Sequence, residues 1–115
     1  MITIYHNPRC SKSRDALALL QQHDTQQLNV IEYLKSPPTA DELSAILAKL
    51  KIPARQLLRT TEAEYSNLQL DNLALNDSQL VDAMVAHPKL IERPIVINGE
   101  RAAIGRPLSN ISAIL

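Results

Sequence analysis

The spacing of apolar positions changes along the chain, and each change marks an element. Ile2-Thr3-Ile4-Tyr5 alternates and is rich in β-formers, which predicts a first strand ended by Asn7-Pro8. From about Cys10 to Gln22 the period becomes helical, with Ala16, Leu17, Leu19 and Leu20 on the side expected to be buried. Leu28 to Tyr33 reads as a second strand, ended by Ser36-Pro37-Pro38. Strand, helix and strand within about thirty residues form a βαβ unit, which predicts a parallel pair with a right-handed crossover.

The middle of the chain is helical in pattern. Thr39-Ala40-Asp41-Glu42 is a capping box, in which the Thr39 hydroxyl and the Glu42 carboxylate satisfy each other's backbone donors. Leu43, Ile46, Leu47 and Leu50 then fall on one face of an amphipathic helix. Pro53 suits the first turn of a short helix, Ala54 to Arg59. Thr60 to Leu75 is polar and weakly periodic, so irregular turns are expected there. Asn76 and Gln79 repeat the capping logic ahead of a helix from Asp77 to about His87, which should bury Leu80, Val81, Met84 and Val85 before Pro88 stops it. Ile95-Val96-Ile97, Asn98-Gly99 and Arg101-Ala102-Ala103-Ile104 predict a hairpin that turns on Asn98-Gly99, a pair tolerant of positive φ. Pro107 is expected at the start of a last helix, with Ile111, Ile114 and Leu115 on its apolar side. Without repeats or a linker, residues 1–115 are expected to form a single α/β domain.

Composition removes several classes of function. Twelve basic and twelve acidic residues cancel, so no overall field points to nucleic acid or to a membrane surface. The apolar runs are too short to span a bilayer. A strand pattern begins at the N-terminus with no signal-like segment ahead of it, so a reducing, cytoplasmic setting is expected. Two glycines exclude both the P-loop and the dinucleotide fingerprint. His6, His23 and His87 lie far apart and one cysteine is available, so neither a metal site nor a bound cofactor is expected. With no Phe or Trp, the core must be aliphatic.

The single cysteine carries the chemistry. Cys10 lies in Tyr5-His6-Asn7-Pro8-Arg9-Cys10-Ser11-Lys12-Ser13-Arg14, at the mouth of the first helix. A lone Cys is often only a small buried hydrophobe. At a helix N-terminus, however, free amides and the macrodipole favour a thiolate and can cradle an anion. Arg9, Lys12 and Arg14 add positive charge, and Ser13 is placed to donate to the sulfur or to a ligand oxygen. His6 is either a structural histidine at a strand end or a group that tunes the thiol. Arg59, Arg93 (before Pro94) and Arg106 (before Pro107) stand at element boundaries. Each alone reads as a surface charge, but together they permit an oxyanion site, since a planar guanidinium engages two oxygens at once. The Arg93-Pro94 bond is open to either isomer. No carboxylate pair is spaced for acid–base work.

The Tyr5–Arg14 block, Leu57-Leu58-Arg59, His87-Pro88, Glu92-Arg93-Pro94-Ile95-Val96 and Gly105-Arg106-Pro107 occur in this order in one family. The chain closely resembles the ArsC-type, glutaredoxin-coupled arsenate reductases, essentially end to end. The resemblance implies a thioredoxin-like fold, with a four-stranded mixed sheet and a helical insertion. It also implies a catalytic cysteine at Cys10, a histidine near the thiol at His6 and a helix-N-terminal serine at Ser13. Oxyanion-binding arginines then fall at Arg59, Arg93 and Arg106, and a cis-proline at Pro94. It further implies arsenate, or a similar oxyanion, as substrate, with glutathione as co-substrate and glutaredoxin as partner. In that family a thiol–arsenate adduct forms, glutathione reduces the arsenic centre, arsenite leaves, and glutaredoxin resolves the mixed disulfide. A chain with one cysteine needs such an external relay. It departs from the well-studied members in carrying Ser11-Lys12 where they have Gly-Thr, and Gly105 where some have another residue. Two alternatives share the scaffold: a glutathione-dependent oxidoreductase with another substrate, and an Spx-type redox-responsive regulator that binds RNA polymerase. Against the latter stand the three arginines and the absence of a Cys-x-x-Cys switch.

Overall fold

The computed structural model describes residues 1–23 and 27–115. Its contacts divide it into two compact units, Met1–Ser36 with Arg93–Leu115, and Pro37–Glu92.

The first unit holds a mixed sheet. Its strands are β1 (Ile2–His6), β2 (Leu28–Glu32), β3 (Ile95–Asn98) and β4 (Arg101–Ile104), in the spatial order β2-β1-β3-β4. The βαβ pattern gives the parallel β1–β2 pair, in register from Ile2↔Leu28 to His6↔Glu32. The hairpin gives antiparallel β3–β4, and β3 also runs antiparallel to β1 with Ile4 opposite Val96. Helix α1 (Ser11–His23) lays Ala16 and Leu20 against Ile4, Val96 and Ile111, all fully buried. Leu17 and Leu19, expected inside, are only half-buried and pack at the edge of this cluster. Removing such aliphatic surface from water stabilises the unit by about 25 cal/mol per Å².

Pairing moves two of the expected boundaries. Asn98 pairs with Arg101, so the hairpin turns on Gly99-Glu100 and not on Asn98-Gly99. Gly99 carries the positive φ of +62°, the feature of a turn with glycine at its first central position. Asn98 is used elsewhere, its side-chain amide donating to Ile114 O at 2.7 Å. The last helix, α5 (Ser109–Ser112), is shorter than expected and begins two residues after Pro107. Ile111 is its one buried residue, while Ile114 and Leu115 lie beyond it and pack on the core.

The second unit is helical: α2 (Ala40–Leu50), α3 (Ala63–Asn67) and α4 (Asp77–Ala86). Both capping boxes form, Thr39 with Glu42 and Asn76 with Gln79, since each needs residues only three apart. Leu43, Ile46 and Leu47 of α2 are buried, as are Leu80, Val81 and Met84 of α4, while Leu50 and Val85 are half-buried. The helix expected to reach Arg59 is a 3-10 turn ending at Leu57, because Leu58 is extended and forms an isolated bridge with Ile91. The segment Thr60 to Leu75 contains α3, where only turns were expected. Arg55 organises its far end, donating to Leu70 O at 2.8 Å and Asn72 O at 3.0 Å. Among the described residues, no helix is long and apolar enough to cross a membrane.

Candidate active site

Strand β1 ends at His6, and a tight turn carries the chain into α1. Asn7 starts that turn. Its carbonyl accepts from Cys10 N–H at 3.0 Å and its side-chain oxygen accepts from Arg9 N–H at 3.0 Å. Pro8 presets the backbone for such a turn. Arg14 returns from the helix to donate to Pro8 O at 3.0 Å. The first helical bond, Arg14 N–H to Cys10 O at 2.9 Å, makes Cys10 the cap residue of α1. Its sulfur therefore stands beside amides that have no partner within the helix.

Ser13 ties the turn to the strand. The side chain is fully buried, and its hydroxyl oxygen accepts from Asn7 N–H at 2.9 Å and lies 2.6 Å from His6 Nδ1. The hydroxyl, expected to donate to the sulfur or to a ligand oxygen, is engaged with His6 and Asn7, and the Ser13 backbone N–H serves Cys10. His6 is itself buried, as a structural histidine at a strand end would be. Burial holds its pKa below the ordinary imidazole value, opposed by the Glu32 carboxylate and aided by the Arg14 cation. Burial therefore favours the neutral ring.

Several opposed effects act on the Cys10 thiol. Burial is the largest and pushes its pKa up. The Ser13 N–H, the Arg93 hydrogen bond and charge, and the Lys12 N–H together outweigh burial, so the pKa lies below the ordinary cysteine value. Arg106 adds a further donor, its Nη2 lying 3.4 Å from Sγ.

The sheet brings these arginines to the thiol. Ile95 pairs with Ile104, so the residues just before β3 and just after β4 run side by side. Gly105 N–H donates to Pro94 O at 2.9 Å, and Arg106 Nε donates to Arg93 O at 2.8 Å. Gly105 is required by contact: a Cβ there would lie 2.8 Å from Pro94 Cγ and 2.7 Å from Ile111 Cδ1. Asn110 holds the following segment by donating to Ile104 O and Arg106 O. Both Arg93–Pro94 and Arg106–Pro107 are cis.

Cys10, His6, Ser13, Arg93, Pro94 and Arg106 thus lie together in the first unit. Arg59 belongs to the second. Its N–H donates to Leu90 O at 2.8 Å, and its Nη1 is buried without a hydrogen-bond partner among the described residues. Among the described residues, no group of three His, Cys, Asp or Glu side chains is placed to hold a metal. The structural work of Asn7, Arg14 and Gly105 was not anticipated from sequence. An Asn-Pro pair at a strand end was the available signal for the first, and a glycine directly before Arg106 for the last.

A thiol whose pKa is lowered, with one arginine donor on it and a second beside it, has the arrangement that attack on a tetrahedral oxyanion requires. The comparisons with known proteins agree. An arsenate reductase of Neisseria meningitidis is 47% identical over 115 residues, covering 99% of this chain and 97% of that protein. An arsenate reductase of Haemophilus influenzae is also 47% identical, covering 99% and 98%. The solved arsenate reductase from Vibrio cholerae superposes with a TM-score of 0.94 at 43% identity, covering 99% of this chain and 97% of that one. The ArsC family profile itself matches residues 5–114, and with these relatives it shows that the chain belongs to the ArsC family.

Proposed function

We propose that the protein reduces arsenate to arsenite, with Cys10 as the nucleophile and glutathione and glutaredoxin as the external thiols. One observation carries this: the only thiol in the chain sits at a helix cap with Arg106 Nη2 3.4 Å away and a hydrogen bond from Arg93. The activity named for the similar proteins supports it.

In this scheme Arg93 and Arg106 take the arsenate oxygens, while the thiolate displaces one of them, which leaves as water after protonation. Donors already placed for the extra negative charge need no rearrangement during attack. Arsenic then gains two electrons as two thiols become one disulfide. Cys10 is one of the thiols, and with no second cysteine in the chain the other is glutathione. Glutaredoxin returns Cys10 to the thiol by disulfide exchange. Ser13 and His6 act as positioning residues that hold the turn. The family resemblance assigns Arg59 to the same oxyanion. A cytoplasmic location and one functional domain over residues 1–115 belong to the same proposal.

The test is arsenate-dependent NADPH consumption with purified protein, glutathione, glutaredoxin and glutathione reductase. Cys10→Ser should show no turnover. Arg59→Ala, Arg93→Ala and Arg106→Ala should each weaken arsenate use by ten- to a hundredfold, roughly the cost of losing one charge-assisted hydrogen bond. Arsenate reduction by the Cys10→Ser protein would sink the proposal, as would a wild-type protein that consumes glutathione only with another substrate.

A further inference from the structure

A cavity of about 210 Å³ is bounded by the Asn7–Arg9 turn and by the segment that follows β2. Its charged groups are Arg9, Glu32 and Lys35, its apolar walls include Pro8 and Leu34, and His6 and Asn7 line it as well. None of the three charged groups has a role in the scheme above. Two features of the fold bring them together. The parallel register sets Glu32 beside His6 at the end of β2. The chain then folds back, with Lys35 and Ser36 N–H donating to Glu32 O at 3.0 and 2.9 Å, and this returns Lys35 Nζ to within 3.5 Å of Glu32 Oε1.

We propose that this cavity seats the γ-glutamyl end of glutathione, with its α-carboxylate on Lys35 and Arg9 and its α-ammonium on Glu32. This rests on the glutathione-dependent function proposed above. An α-amino acid carries its two opposite charges on one carbon, and neighbouring Glu32 and Lys35 present the complementary pair at matching separation. A simple anion would meet Glu32, and a simple cation would meet Arg9 and Lys35, so a zwitterion fits better than either. The exposed Lys35–Glu32 pair is weak in water and gives way readily to a ligand that satisfies both partners. Leu34 and Pro8 supply apolar contact for the glutamyl methylenes. The cavity is smaller than pockets that enclose whole drug-sized ligands, about 300 Å³ and upward, so it holds one end of the tripeptide. The cysteinyl end is left outside, along the turn that carries Cys10.

Titration of the 15N-labelled protein with S-methylglutathione, which cannot exchange disulfides, tests this without any arsenate. Amide shifts should concentrate at residues 6–9 and 32–35. S-methylcysteinylglycine, which lacks the γ-glutamyl group, should bind about tenfold more weakly or worse. Lys35→Glu and Glu32→Gln should each weaken S-methylglutathione by about tenfold and erase its advantage over the shorter ligand. The Lys35 side chain is mostly exposed, so its replacement leaves the fold intact, which circular dichroism checks. Shifts confined to other residues, equal affinity for the two ligands, or undiminished binding by Lys35→Glu would each overturn the assignment. Loss of arsenate turnover alone would instead count against the function proposed above, so the two failures are separable.

Discussion

Burying a thiol in low dielectric strengthens its hold on the proton, and for Cys10 burial is the largest single influence. The thiolate is nevertheless favoured, because the sulfur is buried among donors: the Ser13 and Lys12 amides and the Arg93 side chain. This explains how one residue is both inside the protein and lowered in pKa. Iodoacetamide alkylation followed against pH should show a midpoint below the value of a free cysteine, about 8.5. Arg93→Ala should move that midpoint upward, since it removes a hydrogen bond and a positive charge at once. An unchanged midpoint would mean that the helix amides and Arg106 hold the thiolate without Arg93. Cys10, Arg93 and Arg106 were all legible as candidates, because cysteine count and arginine–proline pairs are visible in the sequence. Their mutual distances were not. Ser13 was legible as a residue of the first turn, but its hydroxyl turns to His6, a choice made by the strand packed behind it.

At the scale of elements, local signals proved the most readable. Both capping boxes formed as expected, since each involves residues one helical turn apart. The hairpin was visible too, but its turn lies one residue further on, because β3 pairs along its full length and Asn98 is drawn into the ladder. Helix α3 was missed because none of its residues is buried, so it leaves no apolar stripe to read. The turn holding Arg106 depends on a contact that sequence alone does not show. Gly105→Ala would press a methyl group onto the Pro94 ring. It should destabilise the fold by about 1–3 kcal/mol, the usual range for overpacking, and should also reduce arsenate turnover as Arg106 shifts. Urea denaturation beside the coupled assay checks both effects. A variant of unchanged stability and unchanged turnover would refute the close-packing explanation.

For the molecule as a whole, two shifted groups set a pH dependence of stability. His6 has a depressed pKa in the fold, so the unfolded chain binds the more protons around pH 6.5; its contribution is present above that value and lost as pH falls through the folded pKa. Cys10 is likewise depressed, so its contribution grows with pH up to the ordinary thiol range and is lost on acidification. Urea midpoints measured from acid to alkaline pH should therefore rise, and Cys10→Ser should flatten the alkaline part while leaving the acid part. A variant whose slope matches the wild type at every pH would contradict the Cys10 shift.

From the order of residues alone came the α/β class, the βαβ unit, the two capped helices, the hairpin, and the rule that redox chemistry at Cys10 would need a second thiol from another molecule. All of these rest on interactions between near neighbours or on a simple count. Tertiary structure alone decided that the sulfur and the Arg106 guanidinium meet across 96 positions of chain, that Gly105 must lack a side chain, and that Glu32 and Lys35 share a cavity with the Cys10 turn. Strand pairing sets those separations, and a pairing partner is chosen by the packing of the whole sheet.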